Sequence, residues 1–253
     1  MIVTVSSVSG APGATSWAVL LAAAWPTGSF VDRVVVETDL DGAVMGARFG
    51  IGVEPGASTL VASARHAAGA PLDLRDFGRR VDDQVWLVPG PESSESAAQL
   101  WGTPSASDDV ATAAALDDRI WICDVGRAAV TGPMRPFFDR SAMAVVVTRA
   151  EHESLVQIPA RVAALRRTGT RVGVLVVGSP TFSHTELTGF FEADQTWTAN
   201  ADLELVAASR NVWSQRRVRR SQLWRAAVAV AADLADAVAA KRDDNDPEDR
   251  DGR

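Results

Sequence analysis

The chain has 253 residues, 47% apolar and 23% charged, with 32 acidic side chains against 25 basic ones and a formal charge of −7. Such a chain can bury a full core, and its excess of acid argues against a surface made throughout for nucleic acid, so basic clusters must be judged one by one. One cysteine, Cys123, excludes an internal disulfide and suits a reducing cytoplasm.

The opening MIVTVSSVSG has no basic segment ahead of its apolar run, unlike a secretory signal. The longest helical apolar stretch, near 223–240, is broken by Arg225, Asp233 and Asp236, which speaks against a membrane span. Lysine occurs once, as Lys241, beside 24 arginines, and tyrosine is absent.

Along the chain, short β-branched apolar runs alternate with alanine-rich amphipathic stretches. Strands are expected at 2–8, 33–38, 84–90, 119–125, 142–149, 171–178 and 203–208. Helices are expected at 15–25, 58–68, 92–101, 108–116, 151–168, 183–193 and 221–241. Most of the strand runs are continuously apolar, as strands covered on both faces are. The prediction is an α/β fold, a doubly wound, mostly parallel sheet of about seven strands with helices on both faces. Residues 1–241 then form a single domain and the polar stretch 242–253 a disordered charged tail.

The first strand passes through VSGAPGATSWA, residues 8–18, into the first helix. Glycines at 10 and 13 permit a turn that aims backbone N–H groups at one point, where the helix N-terminus adds partial positive charge. Thr15 and Ser16 can cap that helix and offer a hydroxyl to magnesium. The bland alternative is a tight strand-to-helix turn with no ligand. The loops at 9–15, 39–42, 90–93 and 124–132 should line one crevice beyond the carboxyl ends of the strands.

The second strand ends in VVVETDLDGAVMGARFG, so Asp39 either belongs to that crevice or caps a helix starting at Asp41 or Gly42. Asp124 closes the apolar run RIWICD and so stands at a strand's carboxyl end. His66, His152 and His184 read as ordinary surface residues. The eight tryptophans read mostly as core or interface fillers; Trp17 and Trp25 flank the first helix, where at least one could face a partner. The segment from Arg210 to Arg225 holds six arginines and no acid, so Arg216, Arg217, Arg219 and Arg220 are candidates for contact with a protein partner or nucleic acid. A solvated helix start would look the same. Leu223, Ala227, Val230, Leu234 and Val238 recur at helical spacing, as in a helix packed on the sheet.

Taken together, these segments resemble the ParA/MinD group of P-loop ATPases, including CpaE-type relatives associated with Tad-type pilus and secretion systems. On the family loop KGGxGKTT, Ser9 takes the place of the signature lysine, Gly10 and Ala11 the two glycines, Pro12 the variable position and Gly13 the third glycine. Ala14 replaces the second lysine, while Thr15 and Ser16 keep the hydroxyl pair. Asp39 with Gly50 matches the acidic-x-Asp segment and the glycine eleven residues on, and RIWICDVGR matches Walker B. Gly178 and Ser179 stand where many relatives carry an adenine-reading asparagine.

The resemblance implies a phosphate cradle at residues 9–16, Mg2+ at Thr15 and Asp124, and Asp39 near the attacking water. It implies ATP or ADP with Mg2+ as ligand. With both lysines replaced, weak binding or none, and weak or absent hydrolysis, are expected. A cytoplasmic positioning or assembly factor follows, able to dimerise with its own copy and serving a pilus, secretion or partition machine through a protein partner. Two alternatives stay open: an active ATPase using an arginine such as Arg127 or Arg149 or a partner-supplied cation, and a DNA-associated partition factor.

Overall fold

The computed structural model describes residues 1–9, 12–26, 32–67, 70–201 and 216–245. In chain order the elements are β1 (Ile2–Ser7), α1 (Ala14–Ala24), β2 (Arg33–Glu37), α2 (Met45–Phe49), α3 (Ala57–Ala67), β3 (Arg79–Asp82), β4 (Val85–Val88), α4 (Ser94–Trp101), α5 (Pro104–Leu116) and β5 (Ile120–Asp124). There follow α6 (Arg135–Arg140), β6 (Ser141–Arg149), α7 (His152–Leu155), α8 (Ile158–Arg166), β7 (Val172–Val177), α9 (His184–Phe191), β8 (Gln195–Ala199), α10 (Arg216–Arg219) and α11 (Gln222–Asn245).

Eight strands form one sheet in the order β3-β4-β2-β5-β1-β6-β7-β8, parallel throughout except for the β3–β4 pair. The expected doubly wound α/β architecture is therefore present. Although the central strands are apolar at almost every position, they still divide their side chains with period two. Val3, Val5, Val35, Ile120 and Ile122 pack with α1 and α11, while Ile2, Val34, Val36, Trp121 and Cys123 pack with α3, α5 and α6. Both layers are buried, which is why every residue of β1, β2 and β5 is buried and the middles of β2 and β5 read as continuous hydrophobic runs.

Several boundaries differ from the sequence reading. β3 and β8 are additional strands at the sheet's two edges. β3 (RRVD) carries charge at three of four positions, and β8 (QTWTA) is polar at three of five with both exposed and buried positions, so neither stands out as an apolar run. The strand expected at 203–208 lies outside the described residues. The helix expected at 151–168 is two helices, the second restarting with Pro159 in its first turn, where a missing N–H costs nothing. α11 continues to Asn245, four residues into the expected tail; 246–253 lie outside the described residues.

α11 packs as its spacing predicts, with Leu223, Ala227, Val230, Leu234 and Val238 all buried and the Trp197 indole N–H donating to Asp233 at 2.7 Å. Among the described residues no helix is long and apolar enough to cross a membrane. Trp17 and Trp25 are both buried, so neither faces a partner, whereas all three histidines are exposed.

Candidate functional site

The carboxyl ends of β1, β2, β4 and β5 meet the first turn of α1. Ser9 follows β1 and is half-buried, while Gly10 and Ala11 lie outside the described residues. Pro12 is buried, and Gly13 is the N-cap of α1 with φ 89°, a left-handed conformation that favours glycine. Its carbonyl accepts the Trp17 N–H at 2.9 Å. Neither Thr15 nor Ser16 caps the helix, contrary to expectation: the N-cap is a glycine, no side chain accepts from the first turn, and no acid lies within it. Ala14 and Ser16 are buried. The first-turn N–H groups are therefore left for another partner.

Asp124, at the end of β5, is fully buried. Its Oδ1 accepts the Gly126 N–H at 3.2 Å, whereas Oδ2 has no hydrogen-bond partner among the described residues. Burial pushes this carboxyl up to about 7, with the neighbouring charges of Glu37 and Asp39 adding to the rise and the Thr15 hydroxyl pulling the other way. That mutual influence brings Thr15, Asp39 and Asp124 into one neighbourhood.

Asp39 caps no helix either. Its Oδ1 accepts the Asp41 N–H at 3.0 Å in a local turn, and the nearest helix begins only at Met45. Desolvation raises its carboxyl above the usual range. The carboxylate lies against Gly126, whose φ is 55°; a Cβ there would run into the Asp39 carboxyl carbon and both oxygens. The loop after β5 thus touches both acids, one by its N–H and the other by its bare Cα.

Sequence reasoning treated Glu37 only as the first acid of a motif. It is buried and accepts the N–H groups of Val44 at 2.6 Å, Met45 at 3.1 Å and Gly90 at 3.3 Å. Desolvation still outweighs these bonds and raises its pKa. Glu37 therefore ties the start of α2 and the loop after β4 to the end of β2. With the Ala43 N–H on the Pro91 carbonyl at 2.9 Å and the Thr38 hydroxyl on the Asp124 carbonyl at 2.9 Å, the loops after β2, β4 and β5 are stitched together.

The tie at Glu37 also places a residue the sequence did not point to. Arg48, on α2, donates from Nη1 to Ser16 Oγ at 2.7 Å. The arginines named as substitutes for lysine are engaged elsewhere: Arg127 pairs with Asp41 at 2.5 Å, and Arg149 lies 3.6 Å from Glu151. Lys241 donates to the carbonyls of Ser141 at 2.5 Å and Arg140 at 3.3 Å, at the start of β6. Nine residues of β6 at roughly 3.3 Å each put that point about 25 Å from the loop end of the sheet.

Of the basic cluster, the side chains of Arg216 and Arg217 lie outside the description, as does all of Arg210. Arg219 sits 3.9 Å from Asp82 and over the Trp224 ring at 5.5 Å, and Arg220 is exposed. Among the described residues no group of three or more His, Cys, Asp or Glu side chains could hold a metal. A divalent ion at Asp124 would draw its remaining ligands from Thr15, water and a bound anion.

No family model and no curated protein matches the chain. Solved structures do. A ParA family ATPase from Chlorobium tepidum TLS superposes with a TM-score of 0.73 at 15% identity, covering 91% of this chain and 97% of that one. The cell division ATPase MinD of Pyrococcus furiosus gives 0.72 at 16%, covering 93% and 98%. The septum site-determining protein MinD complexed with Mg-ADP, from Pyrococcus horikoshii OT3, gives 0.68 at 16%, covering 92% and 96%. At these identities the likeness establishes the fold, which is that of the ParA and MinD ATPases.

Proposed function

We propose that this chain, built on the fold of the ParA and MinD ATPases, is a cytoplasmic positioning or assembly factor that binds ATP or ADP with Mg2+ weakly and hydrolyses it slowly or not at all. One observation carries the reading. Thr15, Asp39 and Asp124 gather at the glycine-capped turn, while the only lysine in the sequence is fixed at the other end of the sheet.

The orphan Oδ2 of Asp124 supports a cation there, because an unpaired buried carboxylate costs several kcal/mol unless it is protonated or matched. Thr15 and Asp124 are the residues that would hold Mg2+, which when bound neutralises phosphate charge. Asp39, held against Gly126 and raised in pKa by desolvation, would stand beside the terminal phosphate. Rapid hydrolysis needs cations that strengthen their grip as charge builds in the transition state, each worth about 10³-fold. The loop has Ser9 and Ala14 where such lysines would stand. The Pyrococcus horikoshii neighbour is complexed with Mg-ADP, in keeping with a nucleotide in this fold.

The output is then a nucleotide-sensitive shape read by a protein partner in a pilus, secretion or partition machine, with a second copy of the chain as a dimer partner. DNA contact through Arg216, Arg217, Arg219 and Arg220 is not favoured, since Arg219 is engaged by Asp82 and Trp224. Calorimetry with MgATP, alongside continuous phosphate release, tests the reading. Weak binding that falls further in Asp124→Asn, with release at background, is the expected result. Steady phosphate release abolished by Asp39→Ala would overturn it.

A further inference from the structure

Arg48 is the one cation the described structure brings to the first turn of α1, by its 2.7 Å bond to Ser16 Oγ. The N-terminal end of an eleven-residue helix already carries partial positive charge, with neither an acid nor a side-chain cap to offset it. No carboxylate pairs with Arg48 among the described residues, although the chain is rich in acid; its contact is a neutral hydroxyl. An independent observation comes from Asp124, fully buried beside Thr15 in the same turn, with Oδ2 unpartnered. An unmatched cation, uncapped N–H groups and an unmatched buried carboxylate surround one turn without neutralising one another.

We propose that Arg48 is the phosphate-binding cation of this site, taking from a neighbouring helix the part that a loop lysine plays, so that a di- or triphosphate is held by Arg48 together with the α1 N–H groups. This rests on the nucleotide reading above and adds to it the residue that gives affinity. Arg48 reaches the turn from α2, whose start is fixed by the Val44 and Met45 N–H bonds to Glu37, so its placement is built into the fold rather than the loop. A guanidinium suits the task, since its planar fork can hold two phosphate oxygens at once. Ser16 keeps it oriented in the absence of ligand.

Titration of the full chain with pyrophosphate and with a fluorescent ATP analogue, each with and without Mg2+, tests the assignment. Arg48→Ala should weaken both ligands about tenfold or more, Arg48→Lys should restore part of the loss, and Ser16→Ala should cost less than Arg48→Ala. Arg135→Ala, which removes a surface charge paired with Asp139 on α6, should leave both affinities unchanged. Thermal melts of each variant guard against misfolding, and Arg48→Gln supplies a second neutral replacement if the alanine variant does not fold. Equal binding by wild type and either neutral Arg48 variant overturns the assignment and leaves the nucleotide reading standing. Binding of pyrophosphate but not the ATP analogue, lost in Arg48→Ala, supports the assignment and overturns the nucleotide reading. Failure of wild type to bind either ligand overturns both.

Discussion

The two ends of the parallel sheet are built from the same strands and treat charge differently. At the amino ends, charged side chains are tied into carbonyls, an amide or an opposite charge. Arg33, buried at the start of β2, donates to the Ala22 carbonyl at 3.2 Å and to Gln84 Oε1 at 2.6 Å. Asp117 and Arg119 pair at 2.6 Å just before β5, and Lys241 fastens α11 to the start of β6. At the carboxyl ends, Glu37, Asp39 and Asp124 all have raised pKa values, an Asp124 oxygen is orphaned and an arginine rests on a hydroxyl. One end is arranged for stability and the other sacrifices some of it, as sites that await a ligand commonly do.

Substitutions at the carboxyl end should therefore differ from one another in sign, whereas those at the amino end should only destabilise. The largest effect is expected from Gly126→Ala, whose methyl would collide with the Asp39 carboxylate at a residue with positive φ; a loss of about 3 kcal/mol in denaturant unfolding is expected. Asp124→Asn should do the opposite. Because the folded state holds a proton that the unfolded chain releases at lower pH, wild-type stability falls as pH rises from about 4 through about 7. The asparagine variant lacks this contribution and should be on the order of 2 kcal/mol more stable at pH 8, with the gap narrowing as pH falls and closing near pH 4. Urea titrations at both pH values check it, and an unchanged or lower midpoint at pH 8 would remove the contrast between the ends.

At the amino end, Asp117→Ala should cost about 1.5 kcal/mol, since it leaves Arg119 half-buried without its carboxylate. Lys241→Met should cost about 1 kcal/mol, because two carbonyls lose a charged donor while the aliphatic stem is kept. Neither should alter ligand affinity, about 25 Å from the loop by the strand spacing. A shift in nucleotide titration for either variant would show that the ends are not independent.

The fold was legible where every residue of a strand is buried, as in RVVVE and IWICD, because continuous apolar runs are the direct imprint of a two-faced sheet. It was illegible at the margins. β3 buries none of its residues fully, β8 interleaves polar residues with its one large apolar side chain, and both sequences look like loop. α2 is only five residues long, too short for periodicity to register. In the site, Gly13, Asp39 and Asp124 were readable because motif spacing is local, although the cap expected from Thr15 and Ser16 is supplied by glycine instead. Glu37, Gly126 and Arg48 were not, because their parts depend on pairings across 7, 87 and 32 positions of chain, which no local pattern encodes.

Cys123 has a practical consequence. It is the only thiol in the chain, it is sealed at the sheet's centre between the strands carrying Thr4 and Val36, and burial leaves it protonated and inert. A thiol-selective reagent can reach it only when β5 comes away from its neighbours, so alkylation acts as an internal clock for opening of the molecule's middle. Because Asp124 is the next residue, any phosphate compound that settles there must slow that clock, and the slowing reports occupancy without a label.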